Sequence, residues 1–274
     1  ELRTAMPGAH GDAVLVTGGR GGIGRAMAEA LSLEGFTVIV TVRKEADVAQ
    51  LQAESERLVP LLMDVTNEDH AATAAGTVSA LLAHRNLRLL GVVANAGINP
   101  EGDILQDAAK TGEARPNELA DMALAQATFD TNVFGVVRTA RTFLPLLREG
   151  AGGRLILIGS YFGTIAGALG AAHLYYEMSK FALEGLADGL RRDEAKRAAG
   201  VKVCLVKPGN IFTAMNPTYG EDGPEVVTAA VRHALRSSTP KHRYYPGRVK
   251  GYQAWLMCWV FSHLPTWLSD KLLG

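Results

Sequence analysis

The sequence predicts a doubly wound parallel α/β sheet, and three observations carry that prediction. Short, nearly continuous apolar runs alternate with helical patterns for most of the 274 residues, as in parallel strands covered by helices on both faces. A glycine-dense turn joins the first such run directly to the first helical pattern. No Pro/Gly/Ser-rich linker, charge block or internal repeat beyond the strand-helix alternation interrupts the chain. At 29.1 kDa it is long for one domain, yet parallel α/β domains commonly reach this size. One domain over 1–274 is therefore expected, with a core over about 12–250 and an apolar helical extension over 251–274.

Ala13 to Thr17 is the first strand and Ile23 to Leu33 an amphipathic helix. Thr37 to Thr41 forms a second, β-branched run, Leu58 to Met63 a third and Leu90 to Ala94 a fourth. The helix after the third strand has a start signal in Thr66-Asn67-Glu68-Asp69, with acids in its first turn. Arg154 to Ile158 and Val201 to Val206 are further strands, separated by a helix that carries Tyr176 and Lys180. Gly200 is expected to end that helix by taking a left-handed conformation. Two stretches break the rhythm, Asn99 to Pro116 and the Gly/Ala-rich Phe162 to Leu174. Loops beyond the carboxyl ends of strands are where such sheets bind ligands, so both are site candidates.

Composition narrows the partners. Twenty-eight basic residues balance 28 acidic ones, leaving no net field to recruit nucleic acid, and a small-molecule ligand fits better. Hydrophobic residues at 47% and charged residues at 20% are in the globular range. Cys204 and Cys258 lie in apolar surroundings and read as packing residues, neither a disulfide framework nor a metal site. A reducing compartment such as the cytoplasm follows. The first residues, Glu1 to Pro7, have no apolar signal core and read as a trimmed or engineered end that hides the original targeting.

The turn Thr17-Gly18-Gly19-Arg20-Gly21-Gly22-Ile23-Gly24 follows a strand and opens a helix. Glycine at 18, 22 and 24 permits a tight turn, close backbone approach to a pyrophosphate and close packing of helix on strand. That is a dinucleotide cradle, and it makes the expected fold Rossmann-type. At the end of the second strand, where an acid would hold ribose hydroxyls, stand Thr41-Val42-Arg43-Lys44. A carboxylate there would repel a 2′-phosphate, whereas a guanidinium grips one bidentately. NADP(H) is therefore expected over NAD(H), with Arg43 as the reader and Arg20 as an addition. Asp64-Val65 ends the third strand and Asn95-Ala96-Gly97 the fourth. The carboxylate suits the adenine amino group, and the small residues let the chain pass beside the ribose.

Tyr176 and Lys180 stand four residues apart on one helical face. The ammonium favours the phenolate, but a phenol of ordinary pKa about 10 needs a shift of order three units, about 4 kcal/mol, to exchange protons near neutrality. One lysine in water cannot supply that. A second cation, low solvent exposure, or both must help, and an oxidised nicotinamide ring would bring a cation.

With these residues in view, the chain resembles a short-chain dehydrogenase/reductase. The matching positions are Thr17-Gly18-x-x-x-Gly22-Ile23-Gly24, Asp64-Val65, Asn95-Ala96-Gly97, Asn132, Ser160, Tyr176-x-x-x-Lys180, and Pro208-Gly209 with Thr213, in family order over about residues 12 to 215. The resemblance implies that Tyr176 exchanges a proton with the substrate oxygen and that Ser160 orients that oxygen. It implies that Lys180 lowers the tyrosine pKa and binds the nicotinamide ribose, and that Asn132 holds a water linking Lys180 to solvent. Pro208 to Thr213, including Gly209 and Ile211, would meet the nicotinamide amide. Phe181 to Gly185 and Lys241 to Tyr245 are similar to branches that handle steroids, retinoids and other lipophilic alcohols.

The chain departs from the family pattern in places. Sixteen positions separate Ser160 from Tyr176, longer than the family's usual spacing, which makes Tyr161 and Tyr175 rival phenols. Tyr175 has Ser179, not a lysine, at i+4. The surplus between Asn95 and Asn132, with Glu101, Asp103, Asp107 and Lys110, is placed to cover the substrate. The family's basic residue before the middle glycine is Gly21 here, with Arg20 one place early.

Trp255, Trp259 and Trp267 all fall in the last twenty residues. Ala254 to Phe261 is too short to span a bilayer, which needs about twenty residues. Three roles stay open, in this order: core packing or an oligomer interface, a lid over an apolar substrate pocket, or an interfacial helix touching lipid through 252–268. The leading functional reading is an NADP-preferring enzyme interconverting an alcohol and a ketone or aldehyde on a hydrophobic small molecule, assembled as a dimer or tetramer. The alternatives are a cofactor-binding redox sensor or scaffold without turnover, and an epimerase or enoyl reductase on the same fold.

Overall fold

The computed structural model describes residues 11–55, 58–100, 122–150, 152–166, 173–217 and 219–273. Seven parallel strands form the central sheet in the order β3-β2-β1-β4-β5-β6-β7. They are β1 (Asp12–Thr17), β2 (Thr37–Val42), β3 (Leu58–Leu62), β4 (Arg88–Ala94), β5 (Arg154–Ile158), β6 (Lys202–Val206) and β7 (Arg243–Tyr244). The order reverses beside β1, and the crevice between the carboxyl ends of β1 and β4 is the natural ligand site. Pro60 is tolerated in β3 because that strand is at the sheet edge.

Helices cover both faces. One face packs against α3 (Glu68–His84), α5 (Gly135–Glu149) and α6 (Leu174–Ala195), burying Leu15, Ile39, Phe143, Leu155 and Leu157 in a single cluster. The other packs against α1 (Gly22–Leu33), α2 (Glu45–Glu54) and α7 (Glu225–Arg236), around Val14, Val16, Met27, Val38 and Val206. The expected cap holds: Asn67 Oδ1 accepts from the backbone N–H groups of Asp69 and His70 at 2.9 and 3.1 Å.

One expectation about local structure changes, and one local feature is new. The helix bearing Tyr176 ends at Ala195, with Lys196 as its cap. Gly200 does take a positive φ of 69°, but in the turn into β6. Between α4 (Met122–Phe129) and α5 the chain makes a π-helical turn at Asp130–Phe134, which the helical period does not announce. The Tyr252–Gln253 strand β9 pairs with β8 (Arg248–Val249) in a small hairpin that leads into α8 (Ala254–His263) and α9 (Thr266–Leu273). Among the described residues no helix is long and apolar enough to cross a membrane. Glu101, Asp103, Asp107 and Lys110 lie outside the described residues, as does the middle of the 162–174 connection.

Candidate active site

A trough of about 1460 Å³ runs along the carboxyl ends of the strands, from the glycine turn past β4 and β5 to the loop after β6. Its floor at one end is the glycine turn. Gly18 has φ +70° and passes so close to β4 that a Cβ would stand 2.8 Å from Ala96 Cα. A Cβ on Gly24 would lie 2.4 Å from Gly18 O and 2.6 Å from Asn95 Nδ2. Asn95 fills that space by design of the turn: its Nδ2 donates to Thr17 O at 2.9 Å and Gly18 O at 3.3 Å. Thr17 Oγ1 in return accepts from the N–H groups of Asn95 and Ala96 at 2.9 and 3.0 Å. Thr17 and Asn95 thus lock the turn to β4. Gly22, with φ +54°, and Ile23 open α1 at the trough wall, where Gly22 faces Thr213.

The basic residues differ in availability. Arg20 is tied to α2, its Nε on Asp47 Oδ1 at 2.9 Å and its second terminal nitrogen on Gln50 Oε1 at 2.7 Å. Arg43 is exposed at the end of β2, lines the trough, and makes no ion pair or hydrogen bond among the described residues. Asp64 Oδ1 accepts from the Thr66 N–H and hydroxyl at 2.9 and 2.7 Å, closing a small turn. Val65 packs into the core while its carbonyl takes a hydrogen bond from Arg138. After β6, Pro208 O accepts from Tyr161 N at 3.0 Å and Gly209 passes so near Arg248 that no side chain fits. Ile211 is buried, and both it and Thr213 line the trough.

At the other end the structure brings Ser160, Tyr176 and Lys180 together across the long connection. Ser160 follows β5 and stands near enough to the Tyr176 hydroxyl to favour its ionised form. Its Oγ also accepts from Phe162 N at 3.2 Å. Lys180 Nζ stands 5.3 Å from the Tyr176 ring centroid and donates to Ile158 O at 3.2 Å. Burial pushes the Tyr176 phenol up to about 12, with the nearby Ser160 hydroxyl acting the other way, and pulls the Lys180 ammonium down to about 8. Low exposure therefore works against the phenolate, contrary to the expectation from sequence, because desolvation penalises every charged form. Tyr161, the rival phenol, is pushed up further still by its burial, and no hydrogen bond among the described residues relieves it.

Asn132 is buried in the π-helical turn. Its Oδ1 accepts from Ile98 N at 2.8 Å, and its Nδ2 donates to Ile98 O at 2.9 Å and Ser179 Oγ at 3.1 Å. A Cβ on Gly97 would be 3.3 Å from Asn132 Oδ1 and 3.7 Å from Lys180 Nζ, so both polar groups border the same gap. Sequence reasoning missed the pair His173 and Asn99, whose side chains meet at 3.3 Å on the trough wall. Burial lowers the His173 pKa and favours its neutral form.

The carboxyl-terminal helix α8 is two-faced. Ala254 and Cys258 pack on Tyr161, Phe162, Ile165 and Val249, with Tyr176 alongside. Trp255, Trp259 and Trp267 are 53, 59 and 70% exposed, which removes core packing within this chain as their role.

Comparison with known proteins decides the kinship. The family model described as short chain dehydrogenase matches residues 12–223. This chain belongs to the short-chain dehydrogenase/reductase family. It is an oxidoreductase of that family and 30% identical to the mitochondrial D-beta-hydroxybutyrate dehydrogenase of Mus musculus, over 96% of this chain and 84% of that one. It is 28% identical to retinol dehydrogenase 16 of Homo sapiens, over 95% and 87% of the two chains. Among solved structures, a short chain dehydrogenase from Burkholderia cenocepacia in complex with NADP aligns with a TM-score of 0.75 at 26% identity, covering 97% of this chain and 98% of that one.

The lock between Thr17 and Asn95 is open to test. Asn95→Ala removes the amide that holds the glycine turn, and its expected cost is on the order of 1–3 kcal/mol in urea unfolding, with weaker nucleotide binding in a fluorescence titration.

Proposed function

We propose that this oxidoreductase prefers NADP(H) and interconverts an alcohol and a ketone or aldehyde on a hydrophobic small molecule, with Tyr176 as general acid and base. The observation that supports this best is that Ser160, Tyr176 and Lys180 meet at one end of the trough, although sixteen positions separate the two hydroxyl residues. The bound nicotinamide supplies or accepts the hydride. In reduction, negative charge grows on the carbonyl oxygen, and the Ser160 and Tyr176 hydroxyls donate to it. Tyr176 passes its proton to that oxygen, and the Lys180 charge stabilises the phenolate left behind. In oxidation the same phenolate takes the alcohol proton. Asn132 acts from behind, bracing Ile98 and the Tyr176 helix through Ser179, and the gap it shares with Lys180 suits a water that relays protons. A redox sensor without turnover would need no Tyr176 hydroxyl beside Ser160.

The cofactor preference rests on three residues. Arg43 offers an unengaged guanidinium at the ribose end of the trough, and Arg20 neutralises Asp47, the carboxylate there that would repel a 2′-phosphate. Asp64 keeps one carboxylate oxygen outside its turn with Thr66, which suits an adenine amino group. The apolar substrate end, with Phe162, Met215 and Tyr219 on its wall and α8 packed behind, supports a lipophilic substrate. The exposed aromatic face of Tyr252, Trp255 and Trp259 suits contact with a second copy of the chain or a lipid surface.

Two substitutions test the reading. Tyr176→Phe is expected to lower kcat for carbonyl reduction by at least about a hundredfold while NADPH binding stays near normal, a contribution typical of general acid catalysis. Undiminished turnover would refute the role of Tyr176. Arg43→Ala is expected to weaken NADPH binding roughly ten- to a hundredfold and leave NADH binding unchanged, the size of one charge-assisted contact. Equal loss for both cofactors in parallel titrations would refute the use of Arg43.

A further inference from the structure

The carboxyl-terminal helices turn their largest side chains outward. On α8 the positions that face the fold are Ala254 and Cys258, with Met257 and Phe261 partly covered, and they pack with Tyr161 and Phe162 of the trough wall. Trp255 and Trp259, one turn apart, take an outer face of the same helix, and Tyr252 before it and Trp267 on α9 are exposed as well. A helix that served only the core would carry its rings inward, where their burial stabilises the fold. Rings with an apolar body and one polar N–H or O–H suit the boundary between water and lipid chains.

The charges around this face favour lipid over a second copy of the chain. From Val226 to Ser269 the sequence holds six Lys and Arg residues and no Asp or Glu, although the whole chain is balanced. Arg232 and Arg236 pair with Glu34, Arg243 with Glu184 and Asp188, and Arg248 with Asp222. Lys241 and Lys250 are exposed and make no ion pair among the described residues. Lys250 is fixed two positions before Tyr252 by the turn of the β8–β9 hairpin, where it takes a φ of 51°. Its N–H and that of Gly251 donate to the two Glu221 carboxylate oxygens at 2.6 and 2.7 Å, and Asn210 Nδ2 donates to Glu221 Oε1 at 2.8 Å, so that carboxylate is committed to holding the turn. Lys271 follows Trp267 by one helical turn, with Asp270 next to it in sequence. A two-fold pairing of this face would set each copy's cations against the same cations, with no carboxylate from 226–269 to neutralise them. An anionic lipid surface brings the missing charge. We propose that α8 and α9 seat the protein on an anionic bilayer surface, with the rings of Trp255, Trp259 and Trp267 among the headgroups and Lys250 against their negative charge. Because the inner side of α8 packs with the trough wall, this docking sets the substrate end beside the lipid. The proposal makes no use of the reaction.

All three tryptophans of the chain lie in this segment, so their fluorescence reads it directly. The full chain is titrated with phosphatidylcholine vesicles made with and without phosphatidylserine, and bound protein is separated by flotation. Binding is expected to be tighter with phosphatidylserine, to shift the tryptophan emission to the blue, and to allow quenching by lipids brominated near the headgroup. The double variant Trp255→Ser, Trp259→Ser is expected to lose at least about tenfold in affinity. Lys250→Ala is expected to lose about fivefold on phosphatidylserine vesicles and nothing on phosphatidylcholine alone. Both variants exchange exposed side chains and are expected to keep the wild-type Tm. A wild type that neither floats with phosphatidylserine vesicles nor shifts its emission overturns the proposal, as does either variant binding them as tightly as the wild type. A dimer that the double variant splits in the ultracentrifuge, with vesicles left unbound by the wild type, also overturns it and assigns the face to a second copy. Failure of Tyr176 as acid and base would show instead in turnover, which vesicle binding does not measure.

Discussion

Lys180 almost fully and Tyr176 in part are withdrawn from water at the carboxyl edge of the sheet, and the site's chemistry depends on that shared desolvation. It raises the phenol to about 12 and lowers the ammonium to about 8, so each group is biased toward its neutral form. In this state the pair is not a proton shuttle near neutrality. It holds a protonated tyrosine against Ser160 and a lysine against Ile158 O, waiting for charge to enter the trough. The same low-polarity surroundings strengthen any field that does enter, which is how a positive ring bound nearby can reverse the bias.

The placement of this pair is set by the backbone around it. Lys180 is anchored to the last residue of β5 and Tyr176 packs beside Phe162, so their helix is fixed relative to Ser160. Asn132, in the π-helical turn, joins that helix to the end of β4 through Ser179 and Ile98. At the far end of the trough Thr17 and Asn95 fix the glycine turn to the same strand. Both ends of the site therefore refer to β4, and the distance between them is a property of the sheet.

Most of the fold was legible in the chain because its signals are local. Six strands announce themselves as short apolar runs, and Asn67 as a cap. What escaped depends on contacts distant in sequence or on too few residues. β7 is two residues long and exists only by pairing with β6. The π-helical turn adds no pattern that helical periodicity detects. Arg20 looked like a phosphate ligand until α2 supplied Asp47 and Gln50. Gly200 had the right residue type for a helix end, but five residues past Ala195. The tryptophans read as core because aromatic residues usually are, whereas the small residues Ala254 and Cys258 face inward and leave them outside. The motif residues Ser160, Tyr176 and Lys180 do meet in space, yet the direction of the tyrosine shift was not legible in the pattern, since burial is a tertiary quantity.

The central claim is that Tyr176 is a protonated phenol in the free site and is driven toward phenolate by positive charge bound beside it. NMR of protein carrying isotope-labelled tyrosine, with Tyr176→Phe to assign the resonance, follows its ionisation from neutral pH to about 10. The account predicts that Tyr176 stays a phenol throughout this range in the free protein and ionises within it once NADP⁺ is bound. Identical titration with and without NADP⁺ would contradict it.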